Sequence, residues 1–227
     1  MDQLRQSDLT RGFFNDFATN WDSLYGGQRN LFWRWFDRKY RKDIFDRYEL
    51  TFGALGRDLR EKTILDVGCG NGVYAFEAVR RGSARVVGVD IAGEMVAICS
   101  RRSRELGLED RTTFICSEFP PSSVIPDLEK EYDIAIAMGV MDYTSDAVGF
   151  LSALRKRVSE FAVVSFPGKQ WLRWQLRRYR YRLLGRCPVF HYNEADVRAC
   201  CEKAGFRNVE IKYLPHSGGC YFLKAFP

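Results

Sequence analysis

The stretch ILDVGCGNG, residues 64–72, runs from an apolar strand, TILDV at 63–67, into a loop with glycines at 68, 70 and 72. A helical pattern follows over 73–81 and stops at Gly82. Glycine allows the tight turn and lets the backbone approach a ligand closely. The helix N-terminus adds free N–H groups for a polar or anionic group. Strand, GxG and helix would also describe a dinucleotide site, so spacing must decide. The dinucleotide fingerprint is GxGxxG. Counted from Gly68, its third glycine would fall at 73, which is Val73. The pattern present is DxGxGxG, beginning at Asp66. A carboxylate inside the loop suits the ammonium of an amino-acid moiety better than a pyrophosphate. Charge therefore favours S-adenosylmethionine (SAM) over NAD.

Downstream the pattern repeats. ARVVGVD (84–90) reads as a strand, 93–106 as a helix stopped by Gly107, and TTFIC (112–116) as a strand. YDIAIAM (132–138) is a fourth strand after a Pro-rich connection, 145–158 a helix and FAVVSF (161–166) a fifth strand. Asn193 caps a helix that ends at Gly205, and RNVEIKYL and GCYFLKAF read as two closing strands. Val- and Ile-rich runs separated by helices imply a mostly parallel sheet covered on both faces. The expected fold is α/β, Rossmann-like and seven-stranded. It carries an N-terminal helical lid over 1–60, a SAM-binding domain over 61–227 and a basic helical insert over 167–191.

Asp90 stands at the tip of the second strand, where a carboxylate can accept from both ribose hydroxyls; helix capping is the bland alternative. Past the third strand, Glu118 can accept from an adenine amino group, and Phe119 can pack on the ring. Cys69, Ile91 and Met138 lie in the same strand-end loops and complete the expected cofactor contacts. Strand four leads into GVMDYTSD, which puts Asp142 and Tyr143 at the same sheet edge. Asp142 could orient an acceptor hydroxyl or act as base. Of the two histidines, His191 is the first candidate base and His216 the second.

These motifs resemble, in order and spacing, those of the class I SAM-dependent methyltransferases. ILDVGCGNG is similar to the first motif, VVGVDIAGEMV to the second, TTFICSEFPP to the third and YDIAIAMGVMDY to the fourth. The likeness is greatest to the small-molecule branch that includes ubiquinone-type and magnesium-protoporphyrin O-methyltransferases. It implies Asp66, Gly68, Gly70 and Gly72 on the methionine side, Asp90 on the ribose and Glu118 on the adenine side. FFNDFATNWDSLYGG (13–27) resembles the lid of such enzymes, which makes Trp21 and Tyr25 candidates to cover the sulfonium.

The chain carries a formal +6, yet residues 167–191 hold seven basic and no acidic residues, leaving the other 202 at −1. Leu172, Leu176, Tyr179 and Leu183 form a helical apolar stripe beside Arg173, Arg177 and Arg180. Residues 167–186 can cap a pocket and grip an anion, lie on an anionic membrane with Trp171 and Trp174 at the interface, or contact phosphates of nucleic acid. The pocket cap is preferred. Nucleic acid ranks low because strand four continues into MGVMDY and not into [DN]PP[YF]. No metal is expected, since no HxxxH or paired-carboxylate pattern occurs. Seven cysteines without a CxxC read as reduced thiols. No apolar stretch approaches the roughly 18 residues that span a bilayer, and MDQLRQSDLTRGFF lacks a signal-peptide core, so a cytosolic protein is expected. The expected activity is methyl transfer to oxygen, before nitrogen or carbon, of a small acceptor. A membrane-lipid methyltransferase and a non-catalytic SAM-binding scaffold are the rivals.

Overall fold

The computed structural model describes residues 8, 10–12, 42–168, 189–215 and 219–227. Trp21, Tyr25, His216 and residues 169–188 of the basic insert lie outside the described residues.

Seven strands form one sheet in the order β3-β2-β1-β4-β5-β7-β6. They are β1 (Thr63–Val67), β2 (Arg85–Asp90), β3 (Thr112–Cys116), β4 (Tyr132–Ala137), β5 (Val158–Pro167), β6 (Asn208–Leu214) and β7 (Cys220–Phe226). The first five pair in parallel, and β7 enters antiparallel between β5 and β6. Among the described residues they are accompanied by α1 (Lys42–Leu55), α2 (Val73–Arg80), α3 (Gly93–Glu105), α4 (Ala147–Arg155) and α5 (Glu194–Lys203). Chain order reverses at β1, which has β2 on one side and β4 on the other. In open α/β sheets that switch point opens the crevice where ligands bind.

Both faces are dry. Ile64, Ile134, Ile136, Val163 and Phe222 pack against Phe52 and Leu55 of α1 and Ala75, Ala78 and Val79 of α2. On the other face, Leu65, Ala135, Val164 and Leu223 meet Phe150, Leu151 and Leu154 of α4 and Val197 and Cys201 of α5. Successive strand residues thus point into opposite cores, which explains the unbroken apolar runs.

Two element boundaries depart from the sequence reading. The helix expected over 145–158 is the shorter α4, because the Asp146 side chain accepts from Gly149 N at 2.8 Å and starts the helix at Ala147. Strand β5 begins at Val158, three residues before its expected start at 161. Val158 already pairs with Tyr132, and a register shift follows before Ile134 pairs with Phe161. Ser159 and Glu160 are exposed in that irregularity, so the apolar signal starts later than the pairing. Asn193 caps α5 as expected and completes a capping box with Asp196.

Candidate active site

The glycine loop is built by β1 reaching its neighbour. Gly68 N and Cys69 N donate to the Val89 carbonyl at 2.7 and 3.1 Å, and Gly70 N donates to Asp90 Oδ2 at 2.8 Å. Gly68, Gly70 and Gly72 all have positive φ, at 70°, 53° and 78°. At Gly68 a Cβ would run into Val140 of the β4 loop, so the two loops touch there. At Gly70 a Cβ would meet nothing within 4 Å. The first loop is thus pinned on one side and open on the other, the shape of a cradle.

Asp66 lies beneath the loop, 1% exposed. Ala75 N donates to its carboxyl, but Oδ2 meets no donor among the described residues. Burial first, and the Asp90 charge second, push its carboxyl up to about 7. Leaving such an oxygen unpartnered is costly, and a cation entering the cradle would relieve that cost. Asn71, buried in the same loop, likewise holds an Nδ2 without an acceptor among the described residues. Sequence reasoning missed it, because only the glycines around it carried a signal. Cys69 is buried, and the adjacent Cys99 thiol together with burial holds its own thiol well above the usual range. It therefore stays a neutral part of the floor.

Asp90 serves the loop itself. Its two oxygens accept from Gly70 N and from Ala92 N at 2.9 Å. Burial raises its carboxyl, while the N–H groups of Ala92, Gly70 and Ile91 act against the rise. A carboxylate has about four lone-pair sites, so acceptor capacity remains after these bonds. Next to it, Cys116 pairs with Asp90 across the β2–β3 ladder, and Cys116 Sγ lies 3.8 Å from the Ile91 carbonyl. Glu118, half-buried, follows two residues on. The Phe119 ring meets Phe150 edge-on at 5.2 Å and so leans into the α4 side of the core. Met138 packs on the α1 side.

The second half of the site comes from three separated segments. Gly139 N donates to the buried Ser165 Oγ at 2.8 Å, and Tyr143 N closes a turn onto the Val140 carbonyl. Asp142 is buried, and its carbonyl accepts from Phe190 N at 2.9 Å. Tyr192 N donates to the Pro167 carbonyl, its ring sits T-shaped on Phe166 at 4.9 Å, and its hydroxyl reaches the Thr144 carbonyl at 3.4 Å. His191 is held between these two anchors, so Asp142, Tyr143 and His191 meet at one edge although 48 residues separate Tyr143 from His191. Burial, with Cys200, Asp142 and Asp196 nearby, pushes the Tyr192 phenol up to about 12. Nothing in the sequence singled out Tyr192; its role as an anchor depends on pairing across the sheet edge.

A glycine cradle with a buried acid, at the switch point of a seven-stranded sheet whose last strand is antiparallel, defines a class of nucleoside-binding α/β domain. Residues 64–160 match the family described as a methyltransferase domain. That segment is a methyltransferase domain, and the chain has the class I SAM-dependent methyltransferase fold. Magnesium protoporphyrin IX methyltransferase from Synechocystis PCC 6803, with bound S-adenosylhomocysteine (SAH), superposes with a TM-score of 0.71. It is 20% identical, over 97% of this chain and 99% of that one. Ribosomal protein L11 methyltransferase of Alteromonas mediterranea is 35% identical over 82 residues, 36% of this chain and 26% of that protein. The Aliivibrio salmonicida protein of that name is 31% identical over 71 residues, 31% of this chain and 24% of it. The aligned stretch thus spans about a quarter of these relatives' length. Among the described residues no helix is long and apolar enough to cross a membrane.

Proposed function

We propose that the chain transfers a methyl group from SAM to an oxygen, in preference to nitrogen or carbon, of a small acceptor that carries an anionic group. The observation behind the proposal is the buried Asp66 carboxyl, whose Oδ2 meets no donor among the described residues and lies under a glycine cradle open at Gly70. A cationic amino-acid moiety satisfies that oxygen, and a pyrophosphate would be repelled by it. Fold alone would not suffice, since a structure described as a [4+2]-cyclase superposes on this chain with a TM-score of 0.58.

SAM, when bound, supplies a methyl group already activated by its sulfonium. Asp66 and the backbone of Gly68, Cys69, Gly70 and Gly72 would hold the methionine end. Asp90 would take the ribose, Glu118 and Phe119 the adenine, and Ile91 and Met138 the flanks of the crevice. Trp21 and Tyr25, read from the sequence, would cover the sulfonium. Positioning and exclusion of water carry much of such a reaction. His191 would accept the proton of the acceptor hydroxyl as the new O–C bond forms, with Asp142 orienting that hydroxyl and Tyr143 lining the pocket. The anionic acceptor is supported by the +7 of residues 167–191. The same residues, with Trp171 and Trp174, support a second reading in which a phospholipid is methylated at an anionic membrane surface. A cytoplasmic setting accords with either reading.

The experiment is calorimetric titration with SAH, followed by transfer of labelled methyl to a panel of hydroxylated carboxylic acids and phosphates. SAH binding lost in Asp66→Asn, with transfer to an acid, supports the proposal. Absence of SAH binding overturns it, and binding without turnover on any acceptor favours the scaffold. Sedimentation with anionic liposomes at physiological salt separates the membrane reading.

A further inference from the structure

Helix α1 runs along the sheet from the site to the far end. Its last turn lies at that far end, where Lys224 Nζ donates to the Ala54 carbonyl and Arg81 reaches the carbonyls of Phe52 and Gly56. Its sheet-facing residues repeat at i and i+4, with Thr51 0% and Leu55 7% exposed. One turn earlier the same face carries Arg47, whose carbonyl accepts from Thr51 Oγ1 at 2.7 Å. The stripe changes from apolar to cationic where the helix passes the carboxyl end of β4. There a Cβ on Gly139 would sit 3.2 Å from Arg47 Nη1, so the glycine leaves room for the guanidinium. The next residue, Val140, is the one that touches Gly68 of the cofactor loop. Arg81 and Arg157 reach instead to the opposite edge, at the carbonyls of Gly56 and Leu128.

From this placement we infer that Arg47 binds the anionic group of the methyl acceptor and so determines acceptor class. A guanidinium keeps its charge when half-buried and offers a planar fork to a carboxylate or phosphate. Here it is presented by a helix locked into the core by Phe52 and Leu55, which fixes the distance from anion to transferred methyl. The basic stretch 167–191 then supplies general attraction, and Arg47 the specific contact. Sequence reasoning passed over Arg47 because one arginine in an amphipathic helix has no local signature.

The inference rests on the methyl-transfer reading, and the test keeps the two apart. The full chain, saturated with SAH, is titrated calorimetrically with benzoate, phenyl phosphate and neutral benzamide, while the Arg47 guanidinium is followed by ¹⁵N NMR. One anionic probe should bind about tenfold or more tightly than benzamide, the scale of a charged hydrogen bond, and should shift the Arg47 signal. Which anion binds more tightly identifies carboxylate or phosphate as the recognised group. Arg47→Gln should erase the preference and leave SAH affinity within about twofold, while Arg47→Lys should restore part of it. The inference is overturned by a wild-type protein that binds SAH but shows no anion preference. A preference that survives Arg47→Gln, or one removed instead by Arg173→Gln or Arg177→Gln, also overturns it. Failure of the wild type to bind SAH would count against the methyl-transfer reading instead.

Discussion

The part of the proposed cofactor side that would hold the methionine end and the ribose lies between residues 66 and 92, on two adjacent strands whose loops bond directly to each other. The proposed acceptor side draws on Gly139–Tyr143, on Ser165 and Pro167, on Phe190–Tyr192 and, by the inference above, on Arg47 of α1. Hydrogen bonds between segments far apart in the chain hold that second set in place. Local construction ties SAM recognition to the core sheet. Long-range construction lets acceptor chemistry depend on whichever loops the sheet brings together. The two sides meet where Val140 packs on Gly68. Damage on either side should therefore stay on that side, except at this contact.

The largest effect should come from the acceptor side. His191→Ala is expected to lower kcat by about 10²–10⁴-fold, the usual contribution of a positioned acid–base group. Asp142→Asn should cost less if Asp142 only orients the hydroxyl. Both variants should bind SAH as the wild type does in calorimetry. A loss of SAH affinity in step with kcat would show that the two sides are not separable, and near wild-type turnover would remove His191 from the chemistry.

On the cofactor side, Asp90→Ala should weaken SAM binding by roughly 1.5–3 kcal/mol, the scale of hydrogen bonds to a charged group. The structure adds a second consequence. Gly70 N and Ala92 N lose their acceptor, so the melting temperature should fall even without ligand. A protein with lower affinity but unchanged thermal stability would confine Asp90 to the ligand and break the picture of a loop tied across two strands.

The glycine loop was legible for a physical reason. A turn with three positive-φ residues demands glycines, and glycine spacing survives in the one-dimensional sequence. The sheet was legible because buried parallel strands write themselves as Val and Ile runs. The start of β5 was not, because Ser159 and Glu160 occupy an irregular pairing and interrupt the apolar signal. On the acceptor side, Asp142 and Tyr143 could be proposed from their place after β4. Tyr192 and Arg47 could not, because pairing with Pro167 and passage over Gly139 are properties of the folded chain. Asn71 escaped for a different reason: that its Nδ2 meets no acceptor among the described residues is visible only once burial is known.

The smallest expected effect on binding is also the sharpest test of the proposed cofactor side, because it is a slope. Asp66 carries a carboxyl pushed up to about 7, by burial first and by Asp90 second, with Ala75 N opposing. Asp90 on β2 is itself raised by burial, and Cys69 nearby is held as a neutral thiol, so no cation among these neighbours offsets the desolvation. In the unfolded chain an aspartate titrates near 4. The folded carboxyl therefore keeps its proton where the unfolded one has lost it. The contribution of Asp66 to the stability of the ligand-free protein, read as the difference from Asp66→Asn, should be full below about pH 4, decline as pH rises towards 7 and level off above, by a few kcal/mol in all. Binding should run the other way. The ammonium of SAM or SAH favours ionised Asp66, so affinity should rise about fivefold from pH 6 to pH 7, as the ionised fraction grows from about one tenth to one half. The range stays below the pH at which an α-amino group loses its own proton. Calorimetry in buffers of different ionisation enthalpy should report close to one proton released per SAH bound at pH 6, and fewer at pH 7.5. Asp66→Asn should abolish both the slope and the proton release. A slope that persists in Asp66→Asn would assign the linkage to another group and remove Asp66 from the ammonium site.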